Sequence, residues 1–178
     1  MEVIRGMSGR DLSRIEPIVR SSALFCDEEI AVALEICAAA ATEGEGSGYL
    51  ALVIGTDESA FGFAIFGPTP DTDRTWDLYW IAVEDGMQGR GVGSRLLDAV
   101  EAAIGQRHGR MLVVETSSRD AYSATRRFYE RRGYGNDARW RARLRDFYAP
   151  GDDRVVLMKR VEGRVGSHDT LANGGGVG

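Results

Sequence analysis

Between residues 88 and 94 the chain reads Gln88-Gly89-Arg90-Gly91-Val92-Gly93-Ser94, three glycines and an arginine just ahead of a run with helical apolar spacing. Glycines let a backbone come close to a ligand, and a helix N-terminus offers unpaired N–H groups and a positive dipole end to an anion. Arg90 and Arg95 bring positive charge to the same place. The chemistry this allows is the binding of a phosphate or pyrophosphate. It is not that of a P-loop: Gly86 and Gly91 have the spacing, but Val92 and Gly93 follow where Lys and Ser or Thr are needed. Nor is it a dinucleotide fingerprint, because Gly89 and Gly91 lead to Ser94, and Gly91 and Gly93 to Leu96, where a glycine or alanine belongs.

Such a loop needs a strand to deliver it and a helix to follow it. Thr75–Val83 reads as a long strand rich in Trp, Tyr and Ile, and Val92, Leu96, Leu97, Val100, Ala103 and Ile104 mark one face of a helix. Arg110–Glu115 is short and almost wholly apolar, as a central strand should be, and completes a strand–helix–strand crossover. Upstream, residues 1–5 can form an edge strand. The pattern of Leu12, Ile15, Ile18 and Val19 predicts a helix over 11–23 that Pro17 ends or kinks. A stronger helix is predicted over 27–42, its acidic start Asp27-Glu28-Glu29 matched to the helix dipole. Tyr49–Ile54 and Phe61–Phe66 are joined by a hairpin-length connection and are therefore antiparallel. Downstream, a helix over 119–132 stops at Gly133. Arg139–Tyr148 and Arg154–Lys159 then close as a hairpin across Ala149-Pro150-Gly151-Asp152, with Pro-Gly in the central positions of a type II turn.

A chain of 178 residues can bury a sizeable core as one domain, read here as residues 1–162. Residues 163–178 hold 6 of the 23 glycines, lose the apolar pattern and are expected to form a disordered tail. Cys26 and Cys37, eleven residues apart, form no CxxC and no His-containing cluster, so no metal is expected. That spacing is about three helical turns, which predicts both thiols on one buried helix face. No stretch reaches the roughly 20 apolar residues of a membrane span, and no signal-peptide design opens the chain, so the expected location is cytoplasmic with no membrane partner. Residues 1–89 carry 5 basic and 16 acidic side chains, a net of −11, while residues 90–178 carry 17 and 11, a net of +6. An acidic chain overall argues against nucleic-acid binding, while the basic half would suit a small anionic ligand.

The segment Gln88-Gly89-Arg90-Gly91-Val92-Gly93 resembles the Q/R-x-x-G-x-G/A acetyl-CoA signature of the GNAT superfamily of acyl-CoA-dependent N-acetyltransferases. Ile81-Ala82-Val83 resembles the end of that family's fourth strand, and Phe128-Tyr129-Glu130-Arg131-Arg132-Gly133-Tyr134 its second cofactor segment. The likeness follows element order over roughly residues 1–160 and is sharp over 75–134. It implies an α/β GNAT fold: a mixed, mostly antiparallel central sheet flanked by helices, with a splayed cofactor gap between the fourth and fifth strands. Backbone groups of Ala82 and Val83 would meet the pantetheine arm or the thioester carbonyl, and the N–H groups from Gln88 to Ser94 would hold the pyrophosphate.

Tyr129 stands where the family places a phenol that protonates the leaving thiolate. Glu115 resembles a glutamate that some members use as base, with Asp77, Glu84 and a water chain as rivals. The family's frequent Asn seven residues before the tyrosine is Tyr122 here, so either its hydroxyl takes over the pantetheine contact or its ring packs. The implied reaction is acetyl transfer from acetyl-CoA to a primary amine, small molecule or peptide, by direct attack in a ternary complex. A non-catalytic acyl-CoA sensor is the alternative. Trp80, Asp146 and Tyr148 are candidate acceptor-pocket residues, and exposed strand edges in this fold allow a homodimer.

Overall fold

The computed structural model describes residues 2–56 and 58–161; the predicted glycine-rich tail lies outside the described residues. The chain forms seven strands: β1 Val3–Gly6, β2 Leu50–Gly55, β3 Ala60–Pro68, β4 Thr75–Val83, β5 Met111–Ser117, β6 Arg141–Ala149 and β7 Asp152–Arg160. Four helices, α1 Leu12–Ser21, α2 Asp27–Glu43, α3 Val92–Gln106 and α4 Ser123–Arg131, pack against them. The strands form one mixed sheet in the order β1-β2-β3-β4-β5-β7-β6. Every neighbouring pair is antiparallel except β4 and β5, which run parallel because α3 carries the chain back between them.

Each face of the sheet has its own core. Leu96, Leu97, Val100 and Ile104 of α3 and Tyr129 of α4 pack on Phe66, Leu78, Leu112, Val114 and Leu157. On the opposite face Ile15, Ile18 and Val19 of α1, with Ile30 and Cys37 of α2, cover Val53, Phe63 and Ile65. Leu112 and Val114 are wholly or almost wholly buried, which fits the reading of β5 as a central strand.

The parallel pairing is short. Partners run from Thr75 with Met111 to Leu78 with Val114 and then stop. Beyond that point β4 stays on β3 as far as Val83 opposite Gly62, while β5 stays on β7 as far as Ser117 opposite Arg154. The two strands therefore diverge, and the expected gap opens between them. A bulge marks the parting: Leu78 faces Phe66 and Trp80 faces Ile65, which leaves Tyr79 as the extra residue. The bulge also resets the alternation, so Leu78 and Ile81 both contribute to the α3–α4 core.

Three local expectations are corrected. Helix α1 does not end at Pro17 but runs on to Ser21. Pro17 removes one backbone donor, yet Ile15, Ile18 and Val19 around it are fully buried and hold the helix together. The two thiols do not share a face: Cys26 is exposed at the N-cap of α2 in extended conformation, and Cys37 is buried within the helix. The helix predicted from residue 119 begins as α4 at Ser123, after a 3-10 turn at Asp120–Tyr122. Gly151, at φ +81°, sits where the predicted type II turn of the β6–β7 hairpin needs a glycine. Among the described residues no helix is long and apolar enough to cross a membrane.

Candidate functional site

The loop after β4 passes through a 3-10 turn at Asp85–Met87 and enters α3 with Gly91 as N-cap. Gly89 at φ +73° and Gly91 at φ +77° are both left-handed. A Cβ on either would touch nothing, so backbone conformation rather than crowding calls for glycine at both positions. Gly93 differs: its φ is ordinary, and a Cβ there would lie 3.8 Å from Phe128 and Val83, an unstrained contact. Folding does not need a bare backbone at that point, whereas a closely approaching ligand would.

The first helical bond of α3 runs from the Arg95 N–H to the Gly91 carbonyl at 3.0 Å, so the N–H groups of Val92, Gly93 and Ser94 lead out of the helix start. No acidic side chain occupies the first turn. Arg90 and Arg95 instead add charge of the same sign as the dipole end, an arrangement that disfavours the helix until an anion arrives. Arg95 pairs with Glu2, and Arg90 has no ion-pair partner among the described residues.

From Gln88 and Gly93 a cleft of about 680 Å³ runs through the gap past Ile81, Val83, Phe128 and Tyr129 to an opposite end bounded by Leu24, Phe25, Glu29, Trp80, Tyr148 and Asp152. The Glu84 N–H donates to the Phe61 carbonyl at 2.9 Å across the β3–β4 pair. Main-chain polar groups alternate sides along a strand, so those of Ala82 also turn to β3, opposite Phe63. Ile81 and Val83 point theirs into the gap, where the Gln88 side-chain amide already reaches the Val83 carbonyl at 3.5 Å. Ala82 also lines the cleft, and it packs with the α1–α2 core.

Tyr129 is placed by the end of α4. The Gly133 N–H bonds the Glu130 carbonyl and the Tyr134 N–H bonds the Tyr129 carbonyl, both at 3.0 Å, which is a Schellman motif with Gly133 at φ +87°. The rings of Tyr129 and Tyr134 meet edge to face at 5.7 Å, and Phe128 abuts Tyr129 at 5.3 Å. The Tyr129 side chain is 5% exposed, its hydroxyl has no hydrogen-bond partner among the described residues, and it lines the cleft. Burial pushes its pKa above the usual phenol value, so the group stands as a neutral donor.

Of the three candidate carboxylates, Glu115 lines the cleft and Asp77 and Glu84 do not. Glu115 lies just past the last β4–β5 pair, and its carboxylate is held by the Arg154 guanidinium. Asp77 accepts from the Thr69 hydroxyl at 2.7 Å, with its pKa raised by burial, and Glu84 pairs with Arg14 at 3.0 Å. The Tyr122 hydroxyl is engaged elsewhere, donating to the Leu24 carbonyl at 2.9 Å. Trp80 and Tyr148 line the cleft as expected, but Asp146 does not; its carboxylate accepts from the Gly151 N–H in the β6–β7 hairpin. The sequence reading did not find Leu24, Phe25, Thr116 or Arg119 on the cleft wall. Thr116 is 6% exposed with no partner for its hydroxyl among the described residues, and nothing in the spacing of β5 singles it out. Among the described residues no group of three or more His, Cys, Asp or Glu side chains is placed to hold a metal.

Comparison with known proteins places this cleft in a family. Residues 36–135 match the model of the acetyltransferase (GNAT) domain. No protein with a curated description matches the sequence. A crystal structure from Desulfovibrio desulfuricans, assigned to the GNAT acetyltransferases, superposes with a TM-score of 0.85 at 36% identity, over 90% of this chain and 99% of that one. The ribosomal-protein-S18-alanine N-acetyltransferase of Escherichia coli shares the fold at a TM-score of 0.69 and 19% identity, over 95% and 99% of the two chains. The PaiA N-acetyltransferase of Thermoplasma acidophilum, solved with coenzyme A, does so at 0.65 and 15%, over 90% and 99%. With the family model covering more than half the chain and the Desulfovibrio structure matching nearly all of it, the chain belongs to the GNAT acetyltransferase family.

Proposed function

We propose that the protein transfers an acetyl group from acetyl-CoA to a primary amine by direct attack in a ternary complex. One observation carries the reading: an anion cradle at the start of α3 and a buried, unpartnered phenol lie along a single cleft that passes through the gap in the sheet. The coenzyme A complexes of PaiA and of an aminoglycoside 6'-N-acetyltransferase support the donor. In this reading the N–H groups of Val92, Gly93 and Ser94, the Gln88–Gly91 turn and Arg90 receive the pyrophosphate. The main-chain groups of Ile81 and Val83 receive the pantetheine arm and thioester carbonyl, while those of Ala82 are turned to β3.

The amine nitrogen attacks the carbonyl carbon, the C–S bond breaks, and the thiolate departs as Tyr129 donates a hydrogen bond or proton to it. The attacking nitrogen loses one proton, and Glu115 is the cleft carboxylate assigned to take it. Glu29, which has no ion-pair partner among the described residues, and the aromatic faces of Phe25, Trp80 and Tyr148 favour a cationic amine with an apolar arm. Relatives include enzymes named for aminoglycosides and for a ribosomal-protein alanine, both amine acceptors. The test is acetyl-CoA consumption over a panel of polyamines, aminoglycosides, aralkylamines and peptides. Turnover with one class supports the proposal; tight CoA binding with no turnover of any amine marks a binding module instead.

A further inference from the structure

Past Leu78 and Val114 the two lips of the gap no longer bond to each other, so something else must fix the distance between them. The loop between α1 and α2 touches both. Phe25 rests on Trp80 of β4, ring centroids 5.6 Å apart. On the other lip, the hydroxyl of Tyr122, at the entry to α4, donates to the Leu24 carbonyl across 98 residues of sequence. Tyr122 is itself anchored: it is 8% exposed, and Arg119 lies 5.3 Å over its ring while pairing with Asp152 at 3.1 Å. Immediately before the two anchors, where the chain leaves α1, Ala23 sits in the left-handed region at φ +53°, a conformation kept only where surrounding contacts enforce it. Leu24 and Phe25 both line the cleft, and Phe25 packs with the α1–α2 core, on the face of the sheet opposite α3.

We infer that Tyr122 is a positioning residue for the acceptor half of the cleft: its bond to Leu24 holds the α1–α2 loop as a bridge over the gap and sets the width of the acceptor's entrance. The inference rests on the acyl-transfer reading given above. It assigns Tyr122 no contact with the pantetheine arm, because the hydroxyl that could make one is already committed to the loop.

Tyr122→Phe tests it by deleting the hydroxyl while keeping the ring and its Arg119 contact. Three quantities are read: amide exchange over residues 22–26, CoA affinity by calorimetry, and the steady-state constants for a productive amine. The expected result is exchange faster by about fivefold, the Boltzmann equivalent of one net hydrogen bond. The amine KM should rise by a similar factor, with kcat and CoA affinity unchanged within about twofold. Unchanged exchange overturns the tether. Faster exchange with an unaltered amine KM overturns the positioning role, and a fall in CoA affinity as large as the KM effect moves Tyr122 to the cofactor half. A wild-type protein that binds CoA and acetylates no amine refutes the acyl-transfer reading and the word acceptor with it, while the exchange measurement still decides the tether by itself.

Discussion

Replacing Tyr129 by Phe isolates one hydroxyl. The ring contacts with Phe128 and Tyr134 survive the change, and the hydroxyl has no partner among the described residues to leave behind. Stability should therefore stay within about 1 kcal/mol of the native protein. The catalytic effect follows from the two acidities. A free phenol has a pKa near 10 and a thiol one near 8.5, so complete proton transfer to the thiolate is uphill by about 2 kcal/mol even before burial raises the phenol further. Tyr129 then acts mainly through a hydrogen bond to developing negative charge, worth about 1.5–3 kcal/mol, which converts to a fall in kcat of roughly 10- to 10²-fold. The KM for acetyl-CoA should move little, because the neutral thioester gains little from that bond. The same raised pKa keeps the phenol protonated, so it should add no alkaline limb to kcat below about pH 10. Loss of thioester absorbance is the assay to use, since Cys26 is exposed and would consume a thiol reagent. A Phe variant that turns over a productive amine at the native rate refutes the assignment and leaves Tyr129 as a packing residue.

Gly91→Asp places a carboxylate at the mouth of the anion cradle and a side chain at φ +77°; CoA should raise the Tm of the native protein and leave that of the variant unmoved, as read by thermal shift. Asp11, bonded to Arg5 and to the Ser8 N–H and hydroxyl, is lowered from 3.8 to about 2, mainly by the Arg5 guanidinium. A depressed folded-state pKa stabilises above the unfolded value, so about 2 kcal/mol should be lost as pH falls from about 4 to about 2. Urea titrations over that range should show the loss, and Asp11→Asn should already lack that contribution at pH 7. Cys37 is buried and pushed up to about 12 by desolvation, whereas Cys26 is exposed, so a thiol reagent should titrate one group per native chain and two after unfolding. Two rapid native equivalents would contradict the packing of α2.

Much of the architecture is legible because it is written in short-range pattern. The alternation of β2 and β3, the 3.6-residue period of α3 and the glycine after α4 each depend on neighbours a few residues away. The cradle is legible for the same reason, as strand, glycine turn and helix start are contiguous. What the sequence hides is decided by distant partners. Tyr79 looks like one more β-residue until Phe66 and Ile65 show that nothing pairs with it. Pro17 looks like a terminator until the buried residues around it are counted in. Tyr122 aligns with a family amide position, yet its hydroxyl serves Leu24. The role of Ala82 turns on which edge of β4 its main-chain groups face, and the pairing of Glu84 with Phe61 decides that.

The strand order also bears on how the chain is made. Strands β1 to β4 are sequential neighbours, so that half of the sheet can close its ladder once residue 83 has left the ribosome. β5 is different. Its parallel contact with β4 covers four residue pairs, from Thr75–Met111 to Leu78–Val114, and its long antiparallel contact is with β7, which is synthesised after β6. Until residue 160 emerges, an apolar strand carrying Leu112 and Val114 therefore has one open edge. Nascent chains stalled between residues 117 and 152 should bind chaperones, and truncations within that interval should aggregate, while chains that include β7 should escape both fates.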